Sequence, residues 1–126
     1  MSDLDIKRLP DAELTVMQAI WECDIPATRA DIESILEKSH PMAVTTLLTL
    51  LSRLSERGFI SVEKAGRAGV YSPKVTKREY LAAQSRSFVK RLCGGSMSAF
   101  ANALCDSGLT KEELRELREL LDRGEL

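Results

Sequence analysis

The chain has 126 residues, with 18 Lys and Arg against 19 Asp and Glu, a formal net charge of −1 and 44% hydrophobic residues. That length and composition describe one folded domain, or one domain with a small appendage, and exclude a disordered polyampholyte or a uniformly basic polyanion binder. Three widely spaced cysteines, Cys23, Cys93 and Cys105, and a single histidine, His40, argue for reduced thiols in a cytoplasmic protein, with no disulfide frame, metal site or cofactor. No leader and no membrane insertion are expected, because the start MSDLDIKRLP lacks an apolar run and no stretch approaches about 18 apolar residues.

Residues 1–8 are expected to be a short flexible lead. Asp11 is placed to cap a first helix that buries Leu14, Met17, Ile20 and Trp21, the tryptophan as a core anchor. Asp24–Thr28, DIPAT, breaks that helix. Thr28 with Asp31 forms a capping-box pattern, and Ile32, Ile35 and Leu36 mark a second helix ending before His40 and Pro41.

The third helix, AVTTLLTLLSRLSERG over Ala43–Gly58, has two unlike faces. At 3.6 residues per turn, Val44, Leu47, Leu48, Leu50, Leu51 and Leu54 share an apolar arc of about 160°. Thr45, Thr46, Thr49, Ser52, Arg53, Glu56 and Arg57 lie opposite, and Gly58 supplies a stop. Threonine is a poor helix former, by about 0.5 kcal/mol relative to Ala, so three of them on one face carry an intrinsic cost. Two accounts fit. One is an amphipathic core helix with an incidental Thr-rich exterior. The other is a surface made to approach the DNA major groove, where a hydroxyl bonds base edges or phosphates and a methyl meets the thymine methyl.

After Gly58 the period changes from helical to alternating. Phe59–Lys64 is expected to be a strand, Ala65–Gly69 a turn, and Val70–Lys74 the returning strand with Pro73 at an edge. Three helices and a hairpin make a winged helix-turn-helix, a mainly α fold with a small β-hairpin wing. Arg67 at the wing tip is either a phosphate or minor-groove contact or a solvated turn arginine. Residues 1–42 carry Lys7, Arg8, Arg29 and Lys38 against nine acids, whereas 43–75 carry Arg53, Arg57, Lys64, Arg67 and Lys74 against Glu56 and Glu63. A basic stretch beside an acidic body can orient a phosphate backbone despite a neutral total, although chance asymmetry also produces such a pattern.

Thr76 with Glu79 opens a long helix to about Cys93, with Leu81, Phe88 and Leu92 as a narrow apolar seam. Gly94-Gly95 ends it. A short helix near Ser96–Cys105 presents Met97, Phe100 and Leu104, and Thr110 with Glu113 opens a last helix with Leu114, Leu117, Leu120 and Leu121 on one side. Residues 76–126 are too few to bury a good core alone. They either fold back on the winged-helix domain, residues 1–75, or form a helical dimerisation domain, the expectation favoured here. A two-fold protein with paired recognition helices implies a roughly palindromic site.

Several stretches together resemble the BlaI/MecI/CopY family of bacterial repressors over about Leu9–Leu121. They are Leu9, Ala12-Glu13-Leu14, Met17 and Ile20-Trp21; Thr46, Thr49-Leu50-Leu51, Arg53-Leu54 and Gly58; Gly66-Arg67 and Tyr71-Ser72-Pro73; and Leu109-Thr110, Glu112-Glu113-Leu114 and Leu117. The resemblance implies a homodimer that occupies an operator and blocks transcription of β-lactamase, penicillin-binding-protein or copper-export genes. In the β-lactam branch it implies a membrane sensor-protease and cleavage of the repressor's C-terminal domain. The copper branch's CxCxxxxCxC motif is absent, which favours a β-lactam-type signal. The usual Asn-Phe cleavage bond has Asn102-Ala103 as its nearest equivalent, and Leu48 stands where relatives often carry a polar or basic residue.

The expected site follows. Thr45, Thr46 and Thr49 face the groove, Arg53 and Arg67 contact the DNA backbone, and Arg57 and Lys64 are further backbone candidates. Leu81, Phe88, Leu92, Met97, Phe100, Leu104, Leu114, Leu117 and Leu121 form the dimer seam. No enzyme is expected, since no nucleophile–base pair, glycine-rich phosphate loop or metal-ligand pair is present. The rival reading is a winged helix that serves only as a protein–protein module.

Overall fold

The structure, a computed structural model, describes residues 6–123. Most of the expected lead over residues 1–8 therefore lies outside the described residues. Its described part is anchored, because Ile6 packs on the core and its carbonyl accepts the Gln84 side-chain amide at 3.2 Å. Contacts divide the chain into two units between Gln84 and Ser85.

In the first unit, α1 spans Asp11–Glu22, α2 Arg29–Leu36 and α3 Val44–Glu56. Asp11 does not cap α1. Pro10 occupies that position, which suits a residue without an N–H, and Asp11 opens the first turn beside Arg8 at 3.6 Å. The Thr28–Asp31 capping box forms as expected: the Thr28 N–H donates to Asp31 Oδ2 at 3.0 Å, and the Asp31 N–H to Thr28 Oγ1 at 3.1 Å. At the end of α3, Gly58 adopts φ +80°, where a Cβ would be strained, and the Phe59 N–H returns to the Leu54 carbonyl at 3.0 Å.

The sheet holds one strand more than expected. β1 (Ala27–Thr28) lies within the stretch read as a helix break and pairs antiparallel with β3 (Ala68–Pro73), which also pairs with β2 (Ile60–Ala65), in the order β1-β3-β2. Two residues carry no alternation, so this strand leaves no sequence signal. The hairpin closes at Ala65↔Ala68 over Gly66-Arg67, a tighter turn than expected, with Gly66 at φ +68°.

The core joins Val16, Met17 and Ile20 of α1, Ile32 and Leu36 of α2, Leu47, Leu50, Leu51 and Leu54 of α3, and Phe59, Ile60 and Tyr71 around the sheet. Each fully buried leucine contributes about 1.5–3 kcal/mol by leaving water. Trp21 is half-buried, and its indole N–H donates to the Val75 carbonyl at 3.0 Å.

The expected domain boundary at 75/76 cuts off residues that pack with the first unit. α4 spans Lys77–Leu92, and the side chain of Tyr80, near its start, is buried. The Tyr80 hydroxyl accepts the Leu9 N–H at 2.9 Å, and its ring meets Trp21 and Phe59, each at 5.8 Å between centroids.

The second unit, from Ser85 onward, holds the rest of α4, α5 (Met97–Asp106) and α6 (Lys111–Asp122). Ser96 caps α5 by accepting the Ala99 N–H at 3.1 Å. The Thr110–Glu113 capping box opens α6, with hydrogen bonds of 3.0 and 3.1 Å. Phe88 and Phe100 meet edge to face at 5.9 Å, yet no residue of α5 or α6 is buried.

Candidate nucleic-acid interface

α3 buries Leu47, Leu50, Leu51 and Leu54, a narrower stripe than the arc expected from sequence. Val44 and Leu48, assigned to that arc, are 43% and 42% exposed. Both lie on its rim, where the core no longer covers them. Thr45, Thr46, Thr49, Ser52 and Arg53 are exposed. The Thr49 hydroxyl donates to the Thr45 carbonyl one turn back at 3.0 Å. Its donor is thus satisfied within the helix, leaving oxygen lone pairs and a fixed methyl for an outside partner.

Arg67 is exposed at the β2–β3 turn, and Lys64 is exposed on β2 opposite Gly69. Arg67 also lines a groove of about 450 Å³ with Leu48 and with Thr28, Arg29 and Ala30 at the start of α2. The wing tip and one flank of α3 therefore border a single concave surface.

Arg57 is engaged elsewhere. At the C-cap of α3 its Nε donates to Glu13 Oε1 at 2.6 Å and its Nη2 to Glu13 Oε2 at 3.4 Å. The Glu13 side chain is 2% exposed and that of Arg57 45%. This bidentate pair neutralises a carboxylate in the core and ties the end of α3 to α1. Glu13 was absent from the sequence-derived site, although a signal existed: it precedes Val16, Met17 and Ile20 by three, four and seven residues, on the buried stripe of α1.

A three-helix core with a winged three-stranded sheet, an exposed polar third helix and a basic wing tip defines a winged helix-turn-helix protein. The chain matches the penicillinase repressor family model over residues 9–123 and belongs to that family. The family consists of transcriptional repressors, not enzymes. Relatives include the penicillinase repressor of Bacillus licheniformis, 33% identical over 118 residues, covering 93% of this chain and 91% of that protein. The methicillin resistance regulatory protein MecI of Staphylococcus aureus is 28% identical over 116 residues, covering 91% and 94%. Among solved structures, the DNA-binding domain of the repressor BlaI matches with a TM-score of 0.52 and 32% identity, covering 60% of this chain and 92% of that one.

Proposed function

We propose that this protein is a homodimeric transcriptional repressor that lays α3 in the major groove of a palindromic operator and sets the wing against the flanking backbone. One observation carries the proposal: α3 keeps Thr45, Thr46, Thr49 and Arg53 exposed beside a wing tipped by Arg67, in a chain of the penicillinase repressor family. Thr45 and Thr46 offer hydroxyls to base edges or phosphates, and Thr49 offers an acceptor and a methyl. Arg53, Lys64 and Arg67 neutralise phosphates and supply most of the affinity. Arg57 serves instead to hold α3 through Glu13.

Dimerisation is assigned to the second unit together with Leu81. Leu92, Met97 and Leu121 are well exposed, Phe88 and Leu114 less so, and Phe100, Leu104 and Leu117 are half-buried. That much uncovered apolar surface in a short helical unit suits a second copy. Two half-site contacts at high effective concentration then hold the operator, and repression is steric exclusion of polymerase. Release follows a β-lactam-type signal from a membrane sensor-protease. Asn102 and Ala103, exposed on α5, are the proposed cleavage bond. No helix among the described residues is long and apolar enough to cross a membrane, and we assign the protein to the cytoplasm.

The test is selection of duplexes from a randomised pool by the purified full chain, then footprinting over a salt series. A two-fold site and affinity that falls steeply with salt are expected. No salt-sensitive duplex binding would favour a protein–protein module. An immunoblot after β-lactam exposure tests cleavage, and an intact chain throughout induction removes it.

A further inference from the structure

The Val44–Leu48 flank of α3 is left over by the roles assigned above. These two residues stand one turn apart, and each leaves more than a third of its surface in water. An apolar pair on a helix meant only for solvent gains nothing from that position. Leu48 is three residues from Thr45 and four from Ser52, and also three from the buried Leu51, so it stands where the polar face meets the core stripe. It also shares the groove beneath the wing with Arg67, whose cationic lip fits a phosphate backbone. A duplex seated on Thr45 and Arg67 would therefore pass over Leu48. In the major groove the apolar feature within reach is the C5 methyl of thymine, which distinguishes the two orientations of an A·T pair. Thr49, with its hydroxyl donor tied to Thr45, presents its methyl separately, on the adjoining polar face.

We infer that Leu48 is a specificity-determining residue that reads a thymine methyl in each operator half-site, with Val44 extending the apolar strip. The inference rests on the repressor reading proposed above and names one base feature that it selects.

The experiment needs no protein variant to begin. The full chain selects its preferred duplex from a randomised pool, and each thymine in that duplex is then replaced singly by deoxyuridine, which lacks only the methyl. At one thymine per half-site the replacement should weaken binding about threefold to tenfold. L48A should bind the thymine and deoxyuridine duplexes alike, and Leu48→Gln should select a different base there. Because Leu48 is 42% exposed and lies outside the buried stripe of α3, L48A should keep a cooperative unfolding transition close to that of the wild type, which checks its fold. Uniform tolerance of every deoxyuridine, or undiminished methyl sensitivity in L48A, overturns the inference while leaving the repressor reading intact. Failure of the wild type to enrich any duplex overturns both.

Discussion

Arg57→Ala isolates the ion pair that ties α3 to α1. The substitution strips both Glu13 oxygens of their partner and leaves a carboxylate at 2% exposure. Breaking a fully buried pair costs about 3–5 kcal/mol. The Arg57 side chain is 45% exposed, so water can approach the vacated position, and we expect about 2–3 kcal/mol. For a domain of this size, that lowers Tm by about 10–20 °C. Trp21, the chain's one tryptophan, reports the transition by fluorescence. Adding Glu13→Leu to Arg57→Ala removes the orphaned charge and should return stability to within about 1 kcal/mol of the wild type. The same double variant should keep the wild-type dependence of DNA affinity on salt, because Arg57 is assigned to Glu13 and not to phosphate. A single variant within about 0.5 kcal/mol of the wild type would refute the reasoning, as would a double variant no more stable than the single.

Arg67→Ala should weaken binding to all duplexes alike and flatten the salt slope by about one unit in a fluorescence-anisotropy titration; a loss confined to one sequence would contradict a phosphate contact. Phe88→Asp should leave the first unit folded, shift the protein to monomers in sedimentation and weaken operator binding, whereas full-affinity dimers would remove Phe88 from the seam. The Glu79 carboxyl is held below the usual glutamate range by the Thr76 backbone N–H and then by the Thr76 hydroxyl. Its folded value lies below its unfolded one, so its stabilisation is complete above the ordinary carboxylate range and disappears as pH falls through the depressed value. The stability difference between wild type and Glu79→Gln should accordingly shrink in acid denaturation below about pH 4. A pH-independent difference would argue against the capping charge.

The elements legible in the sequence are those whose determinants are local. The capping boxes at Thr28, Thr76 and Thr110 each close over three residues, and all three form as expected. The leucine spacing of α3 and the alternation after Gly58 likewise place a helix and a hairpin without reference to the rest of the chain. The exposed Thr45, Thr46, Thr49 and Arg53 follow from the same periodicity.

Long-range packing decided the rest. Ala27 and Thr28 become a strand only because Tyr71 and Val70 lie opposite them. Periodicity puts Leu48 on the rim of an apolar arc, but only the assembled core shows that 42% of it stays in water. The basic stretch 43–75 counts Arg57 among its charges, while the fold spends that charge on Glu13, 44 residues away. A capping box announces where a helix begins, not what its side chains pack against, so the first turns of α4 lie with the winged unit through Tyr80. Hydrogen bonds between near neighbours are encoded by spacing along the chain. Burial is set by which distant surfaces meet, and that is a property of the whole fold.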